Sequence, residues 1–364
     1  MTKNAITGSP AAGPRLARLS LALPASASFG SFGRAVLAVL LAFAVAAIPI
    51  LMAGKNPLVA YAALIAGAFG SLDNIAFALN KSTPYILSAV GVALCFRAKI
   101  INIGSEGQIA VGGLAASYVA LNAGNLPPFA AVALALCAGM LAGALWSGIA
   151  AAIRLTRGVH EVLSTLLLNF IGVLLVSAAL NGSLGEPGAG FPQSPLFDES
   201  VGLPTLFPGY DLHAGLLIAL AAAIVGQILL WRTRFGFRIR LLGGSQSAAA
   251  YAGVSFAGGV MGVMLLGGAL AGLAGGIEVL GVHARLIEGF SQGFGFTAVA
   301  VALLAAAEPL AVIPAALFFG FLRAGALAMQ RDVGMPSSLV DVIQGLSIVF
   351  VLCAMGLDNR HQRV

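Results

Sequence analysis

Residues 97–108 read RAKIINIGSEGQ, setting Arg97, Lys99, Asn102, Glu106 and Gln108 with two glycines into an otherwise apolar neighbourhood. Glycine and short polar side chains favour a turn over a continuous helix. The stretch reads as a basic-flanked break between two helices. Why a carboxylate belongs there depends on what surrounds the break.

Of the 364 residues, 59% are hydrophobic and 9% charged, whereas soluble domains carry about a quarter charged. Lipid tails accept Leu, Val, Ala and Phe without the charged surface a soluble chain of this length needs. The expected fold is all-α, a polytopic transmembrane helical bundle. The net charge of +6 comes mostly from short basic clusters between apolar runs, a pattern that fixes membrane orientation. No nucleic-acid partner is expected. Cys95, Cys137 and Cys353 lie in apolar runs without the paired spacing of a zinc or redox site, so they read as packing residues.

A crossing helix needs about 20 mostly apolar residues. Runs that qualify cover about 35–53, 84–101, 105–122, 128–153, 159–181, 212–231, 254–282, 293–307, 309–328 and 338–357, which makes ten. The stretch 58–79 carries Asp73 and Asn74 and reads as interfacial or partly inserted. Arg154 and Arg157, then Arg232, Arg234, Arg238 and Arg240, then Arg360 and Arg363 mark cytoplasmic segments. The loop 182–211 holds Glu186, Asp198, Glu199 and Asp211 without Lys or Arg, so it belongs outside. Both termini are then cytoplasmic. The expected division is a tail at 1–34, a membrane domain at 35–357 and a tail at 358–364.

An internal similarity adds an argument about transport. AKIINIGSEG from Ala98 aligns with ARLIEGFSQG from Ala284, a shift of 186 residues that pairs Lys with Arg and Glu106 with Gln292. On the ten-span plan the two copies face opposite sides, giving halves of about 84–181 and 254–357 as an inverted repeat. Inverted repeats with interrupted helices at matching places are a recurring transporter architecture.

Enzyme chemistry is missing. Gly54-Lys55 is followed by Asn56 and lacks the rest of a phosphate loop. GFSQG at 289–293 has the spacing of a hydrolase elbow, but the only later histidine is His361 in the tail. No metal-ligand spacing is present. If transport is ATP-driven, another chain binds the ATP, and this chain holds no cofactor. An ion-coupled carrier is the rival, because Glu106, Glu161, Glu278 and Glu308 are embedded carboxylates of the kind that relay protons. Glu106, Glu161 and Glu308 fall at helix ends, where the macrodipole alone can hold a carboxylate. Gln292, the counterpart of Glu106, cannot titrate, so hydrogen bonding is the expected role of Glu106.

Three motifs carry a family resemblance: NIGSEGQ (102–108), GVHEVLSTLLLN (158–169) and RTRFGFRIRLLGGSQSAAAYAGV (232–254). Together they resemble the permease subunits of ABC importers of the simple-sugar and branched-chain amino acid class. The nearest branch works with basic-membrane-lipoprotein-type binding proteins and commonly imports nucleosides. The similarity runs from about Pro84 to the end. It implies an inner-membrane permease paired with a homologous or identical second permease, ABC ATPase subunits and an external substrate-binding lipoprotein. A nucleoside is the implied solute, with a simple sugar as the alternative. Where the family usually has Asn, often followed by Pro, this chain has Ser245 and Gln246, and AAAEPL at 305–310 also departs from the pattern.

The third motif has a physical reading of its own. Gly243 and Gly244 end the preceding helix, and Ser245 caps a short one running through Ala248 and Ala249 to Gly253. With Arg240, these residues are the expected ATPase-coupling set. A neutral, partly aromatic solute needs amide or hydroxyl groups and ring faces. Asn102, Ser105, Glu106 and Gln108 in one loop, and Phe290, Ser291, Gln292, Phe294 and Phe296 in the other, are the candidates. Glu161 and Asn169 share a helix face and join that set, although Asn169 reads better as an interhelical hydrogen bond.

Overall fold

The computed structural model describes residues 29–124, 126–336, 341–342, 345–346 and 349. The first 28 residues of the expected N-terminal tail, most of the expected span 338–357 and the tail 358–364 lie outside the described residues. Among the described residues the regular structure is helical. In order come α1 (Phe29–Met52), α2 (Pro57–Phe69), α3 (Leu72–Arg97), α4 (Ser105–Leu121), α5 (Pro128–Arg157), α6 (Glu161–Leu180) and α7 (Gly215–Arg232). They continue with α8 (Arg234–Gly244), α9 (Gln246–Tyr251), α10 (Phe256–Glu278) prolonged by a π turn (Val279–His283), α11 (Phe294–Leu304) and α12 (Val312–Val333).

Five of these are long and apolar enough to cross a membrane: α5, α6, α7, α10 with its π turn, and α12. The pair α1 and α2 is bent by 118°. The expected interfacial stretch 58–79 therefore divides between α2 and the start of α3, with Ser71 capping α3 through the Asn74 N–H. The expected span 84–101 begins twelve residues earlier as α3, whose 26 residues run through Pro84. The expected span 293–307 shrinks to the 11 residues of α11. At about 16 Å it reaches half of a hydrocarbon core of about 30 Å. Left-handed Gly293 (φ 77°) begins it, and left-handed Ala306 (φ 49°) and Ala307 (φ 56°) follow its end.

Two helices organise the interior. α10 packs on α3, α4 and α5, while α3 also carries α11, α12 and α7. The α10 contacts are close because they are made through small residues: a Cβ on Gly272 would run into the backbones of Gly139 and Gly143. Without a hydrophobic drive between helices in lipid, such approach lets dispersion do the work. Leu163, Leu167, Phe170 and Leu174 of α6 are exposed on the opposite face. The acidic loop after α6 folds back over the segment that follows α10. The Ser194 N–H donates to Leu286 O (2.8 Å) and the Phe197 N–H to Ala284 O (2.8 Å).

Candidate functional site

Both copies of the internal similarity are helix interruptions. α3 closes with left-handed Lys99 (φ 56°) and an Ile100 N–H to Cys95 O bond of 3.0 Å, and α4 starts at Ser105. The segment after α10 begins with left-handed Ala284 (φ 51°), reaches left-handed Gln292 (φ 45°) and yields to α11 at Phe294. Non-glycine residues rarely adopt this conformation. Strain of this kind collects where surrounding structure enforces it.

The two interruptions touch at Glu106. Its Oε1 accepts from the Ser291 hydroxyl (2.6 Å) and the Gly293 N–H (3.0 Å), and its Oε2 from the Gly295 N–H (2.7 Å). Glu106 also lies in the first turn of α4. One buried carboxylate thus faces the positive ends of two helices and satisfies N–H groups that a helix start leaves orphaned. Phe294 stands edge-on to Tyr85 at 5.3 Å, about 18 Å along α3 from Arg97. The junction is therefore deep in the bundle.

The remaining polar groups of the first break are tied to protein. Asn102 Oδ1 accepts from the Gly104 N–H (2.9 Å) and from Gln108 Nε2 (3.2 Å). Asn169 receives the Gly107 N–H (2.8 Å) and donates to Ile103 O (2.8 Å), the interhelical role expected for it. Glu161 accepts from the Ile101 N–H (3.1 Å) and pairs with Arg154. Ser105 Oγ is buried without a hydrogen-bond partner among the described residues. Phe290 and Phe294 are buried, and Gln292 and Phe296 are exposed. An apolar cleft of about 570 Å³ opens between the first break (Lys99, Ile101, Ile103) and the end of α11 (Val299, Leu303, Ala306).

A second polar centre gathers around Glu278, whose partners the sequence reading does not name. Lys81 of α3 reaches Glu278 Oε1 at 3.2 Å, and both side chains are buried. The π turn returns His283 to 3.6 Å from the same oxygen. Lys81 also lies 5.5 Å from the rings of Phe77 and Phe294. A lysine inside an apolar helix is the available signal, but the apolar run that reads as a span begins at Pro84, beyond it.

The basic segment forms two helices. Ser245 ends α8 and caps α9, accepting the Ala248 N–H at 3.3 Å, and Gly253 (φ 72°) follows α9. Of the two alanines expected to face a partner, Ala248 is exposed but Ala249 is buried in the core beside α8 and α10. A six-residue helix lying on the bundle must turn one side inward, here Ala249, so the outward surface consists of Gln246, Ser247, Ala248, Ala250 and Tyr251. Arg240 stacks over Trp231 at 4.4 Å, and Gly243 packs against the carbonyl of Arg97.

This interrupted-helix core with a short capped helix on its rim defines a membrane permease. The model of the family described as branched-chain amino acid transport system / permease component matches residues 74–352, and the chain belongs to that family. It is a multi-pass ABC importer permease, a transport component rather than an enzyme. It is 36% identical to a glucose ABC transporter permease of Haloferax volcanii, covering 88% of this chain and 87% of that protein. Identity is 35% with a guanosine ABC transporter permease of Bacillus subtilis, covering 87% and 91%. A nucleoside ABC transporter permease of Lactococcus lactis subsp. cremoris is 31% identical over 87% and 89%. No solved structure is significantly similar.

Proposed function

We propose that this permease imports a nucleoside, with a simple sugar as the second reading, through a pathway bordered by the two helix interruptions. The observation that carries the reading is Glu106 joining the start of α4 to the start of α11. Half-helix starts meeting deep in a bundle are where transporters of this build hold their solutes. Nucleoside and sugar share a hydroxyl-bearing ring, which needs amides for its edges and an aromatic face for its plane. Exposed Gln292 and Phe296 beside the junction supply one of each, whereas Asn102, Gln108, Glu161 and Asn169 hold the scaffold. The relatives support both solutes, since two are described for nucleosides and one for glucose.

ATP enters through separate ATPase subunits that dock on the outward face of α9, and an external lipoprotein delivers the solute to the acidic side. A second permease, homologous or identical, completes the pathway. The matching order of long helix, break, helix and helix in α3–α5 and α10–α12 supports a repeated build; the proposed arrangement has the halves inverted, with ten crossings of the bacterial inner membrane and both termini cytoplasmic. Differential contact of the ATPases with two arrangements of the permease drives the cycle.

Uptake into liposomes holding the assembled importer tests this reading. Labelled guanosine should enter only with ATP and binding protein present, and Phe296→Ala with Gln292→Ala should lower uptake at least tenfold. Accumulation driven by an ion gradient without ATP would instead favour the carrier, and preferential uptake of labelled glucose would favour the sugar.

A further inference from the structure

The short helix α11 is held at both ends by residues flanking the same break. Glu106 takes its N-terminal N–H groups, as described. At its other end Arg97, the last residue of α3, donates from Nε to Ala307 O (2.9 Å) and from Nη2 to Ala306 O (3.3 Å), and pairs with Glu308. A carboxylate at the N-terminus and a guanidinium at the C-terminus match the helix dipole. These contacts bridge the apolar cleft between Lys99, Ile101 and Ile103 on one side and Leu303, Ala306 and Ala307 on the other.

The same Glu308 extends the connection to the rim. Its Oε2 accepts from Trp231 Nε1 at 3.0 Å, and Trp231 carries Arg240 of α8 on its ring at 4.4 Å and Arg97 at 5.7 Å. α8 is further seated on α3 because Gly243 lies against the Arg97 carbonyl, where a Cβ would clash. A displacement of α8 and α9 therefore acts on Arg97 and Glu308 as well as on Ala98, which Gly243 adjoins at the start of the first break. These four side chains come from four separate elements. Left-handed Lys99, Ala306 and Ala307 lie beside them, so the turns they hold are backbone conformations kept in place by surrounding contacts.

We infer that Arg97, Glu308, Trp231 and Arg240 form a latch that transmits movement of the α8–α9 segment to the first break and to α11. These are positioning residues, acting through the two turns they hold. The inference rests on the proposed docking of ATPases at α9. Its working part is the link between Glu308 and its two partners, because that carboxylate joins the turn after α11 to both α3 and α7.

The test uses the importer assembled with its ATPase, second permease and binding protein. Ile101, exposed in the first break, is replaced by Cys in a chain whose Cys137 and Cys353 are changed to Ala, and the rate of maleimide labelling is measured without nucleotide and after trapping ATP with vanadate. With the latch intact, trapping should change the rate at least fivefold. Glu308→Gln should reduce that change to under twofold, with trapped nucleotide and ATPase co-purification within about twofold of the parent. Trp231→Phe, which keeps the ring under Arg240 but loses the N–H bond, should fall between, and Glu308→Asp should restore at least half of the response. Equal nucleotide dependence in Glu308→Gln and its parent would overturn the latch, as would a labelling rate that ignores nucleotide in the parent. If Glu308→Gln fails to assemble, Trp231→Phe decides on the same readout. Failure of ATPase to co-purify with the parent would instead remove the docking reading on which the latch stands.

Discussion

Glu106 and Glu278 are both buried carboxylates among apolar helices, yet the chain neutralises them by opposite means. Glu278 has Lys81 at 3.2 Å and His283 at 3.6 Å. Glu106 has a hydroxyl and two backbone N–H groups, and its side chain makes no ion pair among the described residues. The first arrangement is a pair of full charges, each of which is costly alone. The second spreads one charge over the partial charges of helix starts, a set of dipoles fixed by the fold. The difference predicts which carboxylate tolerates a neutral replacement.

The largest effect belongs to Glu278. Glu278→Leu leaves the Lys81 ammonium buried and unpaired, and breaking a buried pair from one side costs about 3–5 kcal/mol. Adding Lys81→Met removes the stranded charge and should recover most of that loss. Thermal unfolding of the purified permease in detergent should rank parent and double variant close together, with the single variant well below. A double variant less stable than the single would show that Lys81 and Glu278 are not a compensating pair.

Glu106 comes next, and here truncation and neutralisation should separate. Glu106→Ala orphans the Gly293 and Gly295 N–H groups at about 1–3 kcal/mol each. Glu106→Gln keeps one acceptor oxygen and can donate to Ser291, so about one such group is lost. Uptake by Glu106→Gln should stay within about fivefold of the parent while Glu106→Ala falls far lower. Complete loss of uptake by Glu106→Gln at normal expression would show that the charge itself is required. Asn169→Leu belongs in the same range, since it orphans the Gly107 N–H and the Ile103 carbonyl. Amide exchange at Gly107 should accelerate in that variant.

What the sequence made legible was local. NIGSEGQ announces a break through its glycines, Ser245 announces a cap, and the pairing of Glu106 with uncharged Gln292 points to hydrogen bonding. What it hid was non-local. Arg97 and Glu308 are 211 residues apart in sequence, and nothing in AAAEPL states that a guanidinium closes its turn. Lys81 was hidden by Pro84, which reads as a helix start because proline is tolerated in a first turn. Here the helix continues through it, and Ser82 and Thr83 instead return their hydroxyls to the carbonyls of Ala78 and Leu79. The C-terminal end of α11 was equally obscure, since the apolar Ala305, Ala306 and Ala307 continue past a helix that backbone conformation cuts short.

The smallest expected effect bears on that conformation. Ala306 holds φ 49° and bonds its N–H to Leu303 O at 2.9 Å, while the Ala307 N–H reaches back to Ala302 O at 2.9 Å. This is the helix ending that normally recruits glycine. An L-residue in the left-handed region costs about 1–2 kcal/mol, against which glycine loses about 0.5–1 kcal/mol of chain entropy. Ala306→Gly should therefore stabilise the isolated permease by up to about 1 kcal/mol, read as a small rise in Tm. Glu106 fixes the other end of α11 through bonds that glycine at 306 does not touch, so the gain should survive in Glu106→Gln. A gain that disappears in that background would mean that the two ends of α11 are coupled through the helix, and that the dipole-held carboxylate and the strained turn form one unit.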